Sequence, residues 1–234
     1  MWIFSSPKNY SEMVEKISKC SFAISALLMY FLSYCNDDFA QFLKKISFGV
    51  EYEFIGIKLS LAGIGLPLLI GIAEHIFKIH DKISSFLHIR KRYDKNIIIF
   101  GLLESFSIGN HLKDLNDDDI SKLMSCCFYK YASSTKPEID EHSIHLALNE
   151  WCWYWIALDT EILLLITGIV FFFSNISYEN FSFVFVTISI MFVIMRLIYK
   201  QCVVYTKAEV REIIKDSGRK EEIRKAIQDA LSLG

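Results

Sequence analysis

The chain has 234 residues, 53% of them hydrophobic, and a mean hydropathy of +0.32. That is too apolar for a soluble domain of this size, and four apolar runs approach the ~20 residues that a helix needs to cross a ~30 Å hydrocarbon core. The formal net charge of −2 excludes a bulk attraction to a polyanion, so what matters is where the charges sit.

In chain order, Met1–Phe4 is an apolar tip, and Ser6-Pro7 predicts a helix start, with serine as cap and proline at the first position. Tyr10–Lys19 is a short amphipathic helix that runs into a first span, Ser21–Cys35. Phe39–Val50 is a second amphipathic piece suited to the outer interface. The second span is predicted over Phe54–Ala73. Its Gly56, Ser60, Gly63, Pro67 and Gly71 share one helical face, which suits either a pore-lining helix or close helix packing; Pro67 should kink or loosen it. Lys78–Arg92 continues that helix, Asn116–Asp119 opens another that runs to about Tyr131, and Glu138–Trp153 leads into a third span, Trp155–Phe173. The fourth, Phe181–Tyr199, continues unbroken to about Lys215. After a break at Ser217-Gly218, Arg219–Leu233 carries Ile223, Ala226, Ile227, Ala230 and Leu231 on one face. That stripe needs a cover: the chain's own cytoplasmic segment, a sister subunit or another protein. No strand and no repeat is expected.

Basic residues are dense in His75–Glu150 and after Tyr199, and sparse in the other connections. The positive-inside rule puts both termini in the cytoplasm. The division is an N-terminal helix (1–19), spans one and two (20–77), a cytoplasmic segment (78–153), spans three and four (154–199) and a helical tail (200–234). The six cysteines include no Cys-x-x-Cys pair, and on this topology most lie in the cytoplasm or in lipid, against a disulfide framework.

Two constellations carry the functional reading. Lys19, Glu74, Glu161 (with Asp159) and Arg196 each fall about 15 residues inward of an outer boundary, roughly 23 Å deep at 1.5 Å per residue. Facing lipid they would cost about 2.5–3.5 kcal/mol each, so they form either a polar ring at an inner pore mouth or markers of the span ends. Arg196, Lys200, Lys207, Arg211 and Lys215 lie on one side of a continuous helix. This is either a cationic vestibule suited to phosphates or simple positive-inside bias; Arg90 and Arg92 are further phosphate candidates. Glu141-His142 with His145 lacks the zincin spacing, and His75 and His80 form no pattern. No metal, cofactor or enzyme activity is expected.

Four spans, the segment His80–Phe100 (HDKISSFLHIRKRYDKNIIIF) and a short helical tail resemble small membrane effectors of bacterial anti-phage defence, the Hailong-type transmembrane effector foremost and Kiwa-type membrane proteins second. The resemblance is one of architecture. It implies a homotetrameric ion channel held shut by its N-terminal region and a bound single-stranded oligodeoxyadenylate. That would make Trp2 and Phe4 of the apolar tip a plug and the basic stripe a ligand site. The expectation is therefore an all-α, polytopic inner-membrane protein: a homo-oligomeric gated pore in the lipid bilayer, with Lys19, Gly63, Pro67, Glu74, Asp159 and Glu161 along its path and an oligonucleotide or single-stranded DNA ligand. The alternative is a scaffold or sensor that recruits a cytoplasmic partner protein through its tail.

Overall fold

A computed structural model describes residues 5–48, 50–54, 57–173 and 178–232; Trp2 and Phe4 lie outside them. The chain is helical apart from one short hairpin, and it divides into two compact units. The first contains Ser11–His80 and Cys152–Ile198, the second Ser6–Tyr10, Asp81–Trp151 and the chain beyond Tyr199.

The first unit opens with α1 (Tyr10–Cys35), which begins three residues beyond Pro7, so the Ser6-Pro7 start is not used. Asn36 caps α2 (Asp37–Ile46), its side chain accepting the Phe39 N–H at 2.9 Å. Asp37 and Asp38 in the first turn and Lys44 and Lys45 in the last complement the helix dipole. Two antiparallel strands follow, β1 (Glu51–Phe54) and β2 (Ile57–Ser60), with Glu51 opposite Ser60 and Phe54 opposite Ile57. This hairpin corrects the expectation of no sheet and takes up the first third of the predicted second span. The helix itself, α3 (Leu61–Phe77), has 17 residues, about 26 Å at 1.5 Å per residue. Ser60 caps it by accepting the Gly63 N–H at 3.0 Å. α3 continues through Pro67, and the break falls instead at Lys78, whose backbone is left-handed (φ 46°, ψ 59°). The chain then bends by 65° into α4 (Ile79–Phe86), so the predicted continuation through Lys78–Arg92 is not made. The remaining helices here are the later part of α8 (Glu141–Phe173) and the early part of α9 (Tyr178–Lys215).

Of the small-residue face, Gly71 makes the helix crossing. Ser18 Oγ on α1 donates to Gly71 O at 2.6 Å, and a Cβ at position 71 would sit 3.0 Å from Phe22 Cβ and 3.1 Å from Ser18 O. Gly71→Val is expected to cost about 1–3 kcal/mol of overpacking, a fall of roughly 2–12 °C in the detergent melting midpoint; an unchanged midpoint would contradict a tight crossing.

This unit buries Lys16, Ser21, Glu74, His80, Asp159 and Thr167 among apolar residues such as Ile17, Leu32 and Trp155, while Leu27, Leu69, Ile72, Ile166, Ile169, Phe185 and Ile190 are exposed; so many large apolar side chains on the outside suit lipid rather than water. Among the described residues three helices are long and apolar enough to cross a membrane: Tyr10–Cys35, Glu141–Val170 and Ser182–Lys215. The bent pair α3–α4 makes a fourth if it is counted as one span.

In the second unit, α5 (Ile89–Tyr93) runs through a π turn (Asp94–Ile99) into α6 (Phe100–Glu104). α7 (Asp117–Leu123) starts on a capping box between Asn116 and Asp119 and ends in a second π turn, Met124–Tyr129. α8 begins in this unit, where Asp140 caps it through Ser143. α9 passes unbroken to Lys215 as predicted, and the break falls at Asp216, whose Oδ1 accepts the Arg219 N–H at 2.8 Å at the start of α10 (Ser217–Ser232). Tyr93, Ile99, Leu103, Leu123, Ile213, Ile223 and Ile227 fill the core. The Tyr93 hydroxyl donates to Thr206 Oγ1 at 2.9 Å, and its ring meets Trp151 edge-on at 4.5 Å.

The α10 stripe is therefore covered by the chain's own segment. Ile223, Ile227 and Ala230 are buried and α10 packs against α7 and the second π turn. Glu222 bonds to Lys130 and accepts the Tyr131 hydroxyl at 2.8 Å, and Arg219 donates to the Glu138 carbonyl. A recruitment surface built on Ile223, Ile227 and Ala230 is already occupied.

Candidate functional site

The break after α3 explains how a charged cluster forms in the first unit. A helix start leaves N–H groups without intrahelical partners, and a carboxylate there also opposes the positive end of the dipole. Glu74, in the last turn of α3, reaches back over the break. Its Oε1 accepts the His80 backbone N–H at 3.2 Å and hydrogen-bonds to Nδ1 of the same residue's ring. The His80 ring is fully buried, its centroid 5.9 Å from that of Trp155 on α8. One turn further along α8, Asp159 accepts the Ser21 hydroxyl of α1 at 3.1 Å, and it lies within electrostatic reach of both Glu74 and His80. The same bundle holds Lys16 on α1, 1% exposed, with Nζ 4.2 Å from the centre of the Trp153 ring and no hydrogen-bond partner among the described residues. Glu161 is 9% exposed, and its Oε2 is likewise unpartnered among them.

Of the expected charged layer, Glu74, Asp159 and Glu161 are buried, and Lys19 and Arg196 are not. Lys19 is half-exposed and pairs with Glu15 at 2.5 Å. Arg196 is exposed, 5.3 Å from the Phe192 ring centre. Lys16, three residues before Lys19 on α1, is buried instead. Gly63 serves the cap of α3, and Pro67 is buried within it. Sequence reasoning missed Lys16, Ser21 and His80. The signal for His80 was its distance of six residues from Glu74, which is not a helical spacing and matters only because the chain bends between them. For Lys16 the signal was its place on the face shared with Met13, Ile17 and Cys20.

In the second unit the basic stripe is solvent-facing: Lys200, Lys207, Arg211 and Lys215 are all exposed, while Thr206, Glu209, Val210 and Ile213 turn inward. Arg92 is exposed as well, whereas Arg90 donates to the Tyr129 hydroxyl at 3.0 Å and lies 5.8 Å from its ring centre; of the two it is the less available to a phosphate. Beside Arg90, burial pushes the Asp94 carboxyl up to about 6 despite the guanidinium. An acid whose proton affinity is higher in the folded state loses stability as pH rises from its unfolded value, near 4, through about 6. At about 1.4 kcal/mol per tenfold change in affinity, the loss is at most about 3 kcal/mol. Asp94→Asn is expected to remove this slope, with melting midpoints at pH 5 and pH 7 converging; an unchanged pH dependence would contradict it.

The model of the YmfE protein family matches residues 9–229, which take in the elements described above except the last three residues of α10. The chain belongs to the YmfE protein family. It is also 26% identical to the uncharacterized protein YmfE of Escherichia coli (strain K12) over 183 residues, 73% of each chain. No solved structure matches it. The matched range takes in α1, α3, α4 and α8, so the elements that build the cluster all belong to the region this YmfE-family chain shares with its family. It also takes in the exposed basic side of α9 and all but the end of α10.

Proposed function

We propose that this YmfE-family protein is a polytopic inner-membrane protein that conducts ions, with the buried Glu74–His80 pair and Asp159 on its path and Lys16 and Glu161 buried in the same unit. The observation that carries the reading is the burial of these ionisable groups among helices of spanning length. Ionisable side chains inside membrane helices are costly, turn toward protein or water, and mark ion or proton pathways. On this reading the α3–α4 pair serves as a broken fourth span, and non-ideal backbone at such depth is tolerated where it is covered by protein or lines a cavity. The exposed cations Lys200, Lys207, Arg211 and Lys215 are the contact for a cytoplasmic anionic ligand, a nucleotide or single-stranded nucleic acid, that gates a homo-oligomer. The effector role in anti-phage defence rests on architectural resemblance, and the gate-and-ligand part of the proposal is framed by it.

The test is membrane potential in cells expressing wild type or the Lys200→Glu/Lys207→Glu/Arg211→Glu triple variant. Depolarisation by the variant alone supports a pore that a bound polyanion holds closed, and depolarisation by wild type alone supports one that a polyanion opens. Silence from both at normal expression would overturn the conducting reading.

A further inference from the structure

The cluster is built for a particular kind of ion. A metal cation needs several oxygen ligands turned toward one point. Among the described residues no three His, Cys, Asp or Glu side chains converge in that way. The acids of the cluster instead point at hydrogen-bond donors. Glu74 Oε1 takes two bonds from His80, through the backbone and the ring, and Asp159 Oδ2 takes the Ser21 hydroxyl. A carboxylate bonded to an imidazole is a proton-handling pair, because imidazole is the one side chain that both takes and gives a proton near neutral pH. Glu74 is 2% exposed, His80 0% and Asp159 7%, so the pair is enclosed by the unit's own helices.

We infer that the ion moved through the Glu74–His80–Asp159 cluster is the proton; the inference rests on the conducting reading above. Glu74 Oε1 and His80 Nδ1 share a hydrogen bond, so a proton passes along it between carboxylate and ring, one group losing what the other gains. Glu74 stands on one side of this exchange, and Asp159, held by Ser21, stands within its electrostatic reach. Ser21 of α1 and Asp159 of α8 stand beside the Glu74–His80 pair, and Lys16 of α1 and Glu161 of α8 are buried in the same unit. From α9, Arg196 is exposed. Lys16 is buried in the same unit, its Nζ without a hydrogen-bond partner among the described residues. A proton passed from group to group never has to enter as a free ion.

The experiment is ion flux in proteoliposomes of the full chain with an internal pH dye, with and without a single-stranded oligodeoxynucleotide outside. Proton flux is driven by a potassium gradient with valinomycin, and potassium flux is measured separately without it. Wild type is expected to acidify or alkalinise the lumen with the imposed potential, and to pass potassium at least tenfold more slowly. Glu74→Gln and Asp159→Asn are each expected to reduce proton flux at least tenfold, and Lys45→Gln, at an exposed position on α2, to leave it within twofold. Folding of every variant is checked by its melting midpoint. Potassium flux equal to or faster than proton flux in wild type would overturn the proton assignment and leave the conducting reading standing. Proton flux unchanged in folded Glu74→Gln and Asp159→Asn would overturn the role of the cluster. No flux of either ion in wild type, with or without the oligonucleotide, would overturn both.

Discussion

Ile223→Ala combined with Ile227→Ala is expected to release α10 from the second unit. Both side chains are 1% exposed and sit on the one face that α10 turns to α7 and the second π turn. Truncating a buried isoleucine to alanine costs about 2–5 kcal/mol, through lost transfer energy and the cavity left behind. The two sites are close enough that their costs will not add fully. Even one of them is a large share of the 5–15 kcal/mol that holds a typical domain together. What holds α10 otherwise is largely polar and exposed: Glu222 to Lys130 and Tyr131, and Arg219 to the Glu138 carbonyl. Lys130 beside Glu222, with the Tyr131 hydroxyl, holds that carboxyl below its usual range, yet surface pairs of this kind contribute little. Limited trypsin digestion reads the outcome, because α10 carries Arg219, Lys220, Arg224 and Lys225. Cleavage in α10 should quicken at least tenfold in the double variant and stay unchanged in Lys215→Ala, an exposed position. Equal cleavage in wild type and the double variant would mean that the stripe is not what holds the helix.

Glu74→Ala is expected to be the most damaging single change in the first unit. It removes the acceptor of the His80 N–H and of its ring nitrogen at once. Breaking a buried pair by deleting one member costs about 3–5 kcal/mol. Glu74→Gln keeps an acceptor oxygen over the break and should cost about half as much, since a neutral hydrogen bond is roughly half as strong as a charge-assisted one. Two measurements separate the local effect from a global one. Melting midpoints should fall in the order wild type, Glu74→Gln, Glu74→Ala. Hydrogen exchange should speed up at the first amides of α4 in the alanine variant ahead of those in α1. If the α4 amides keep wild-type protection, the bend at Lys78 does not depend on the Glu74 cap.

The same residues separate what could be read from the chain and what could not. Apolar runs and charge distribution determine the helices of spanning length and the unbroken run of α9 to Lys215, whereas the expected charged layer divides, with Glu74, Asp159 and Glu161 buried and Lys19 and Arg196 not. The helices follow from local periodicity and from the cost of charge in hydrocarbon, both of which sequence carries directly. The N-cap at Asn116 and the amphipathic α2 were legible for the same reason. The hairpin at Glu51–Ser60 carried a strand signal, the alternation of Glu51, Tyr52, Glu53 and Phe54 and of Ile57, Lys58, Leu59 and Ser60, but each run is only four residues long and joins directly onto the apolar run that follows. The burial of Lys16 was legible in part, from the face it shares with Met13, Ile17 and Cys20, but its contact with the Trp153 ring on a distant stretch of chain was not. His80 joined Glu74 through a left-handed residue at Lys78, a non-glycine in a conformation that propensity disfavours and that tertiary contacts maintain. The α10 stripe announced that something must cover it, and packing within the second unit decided that the cover is the chain itself. Local rules thus determined which helices form. The pairing of the buried residues depended on contacts between segments as much as 138 positions apart, such as Ser21 with Asp159, which no local pattern encodes.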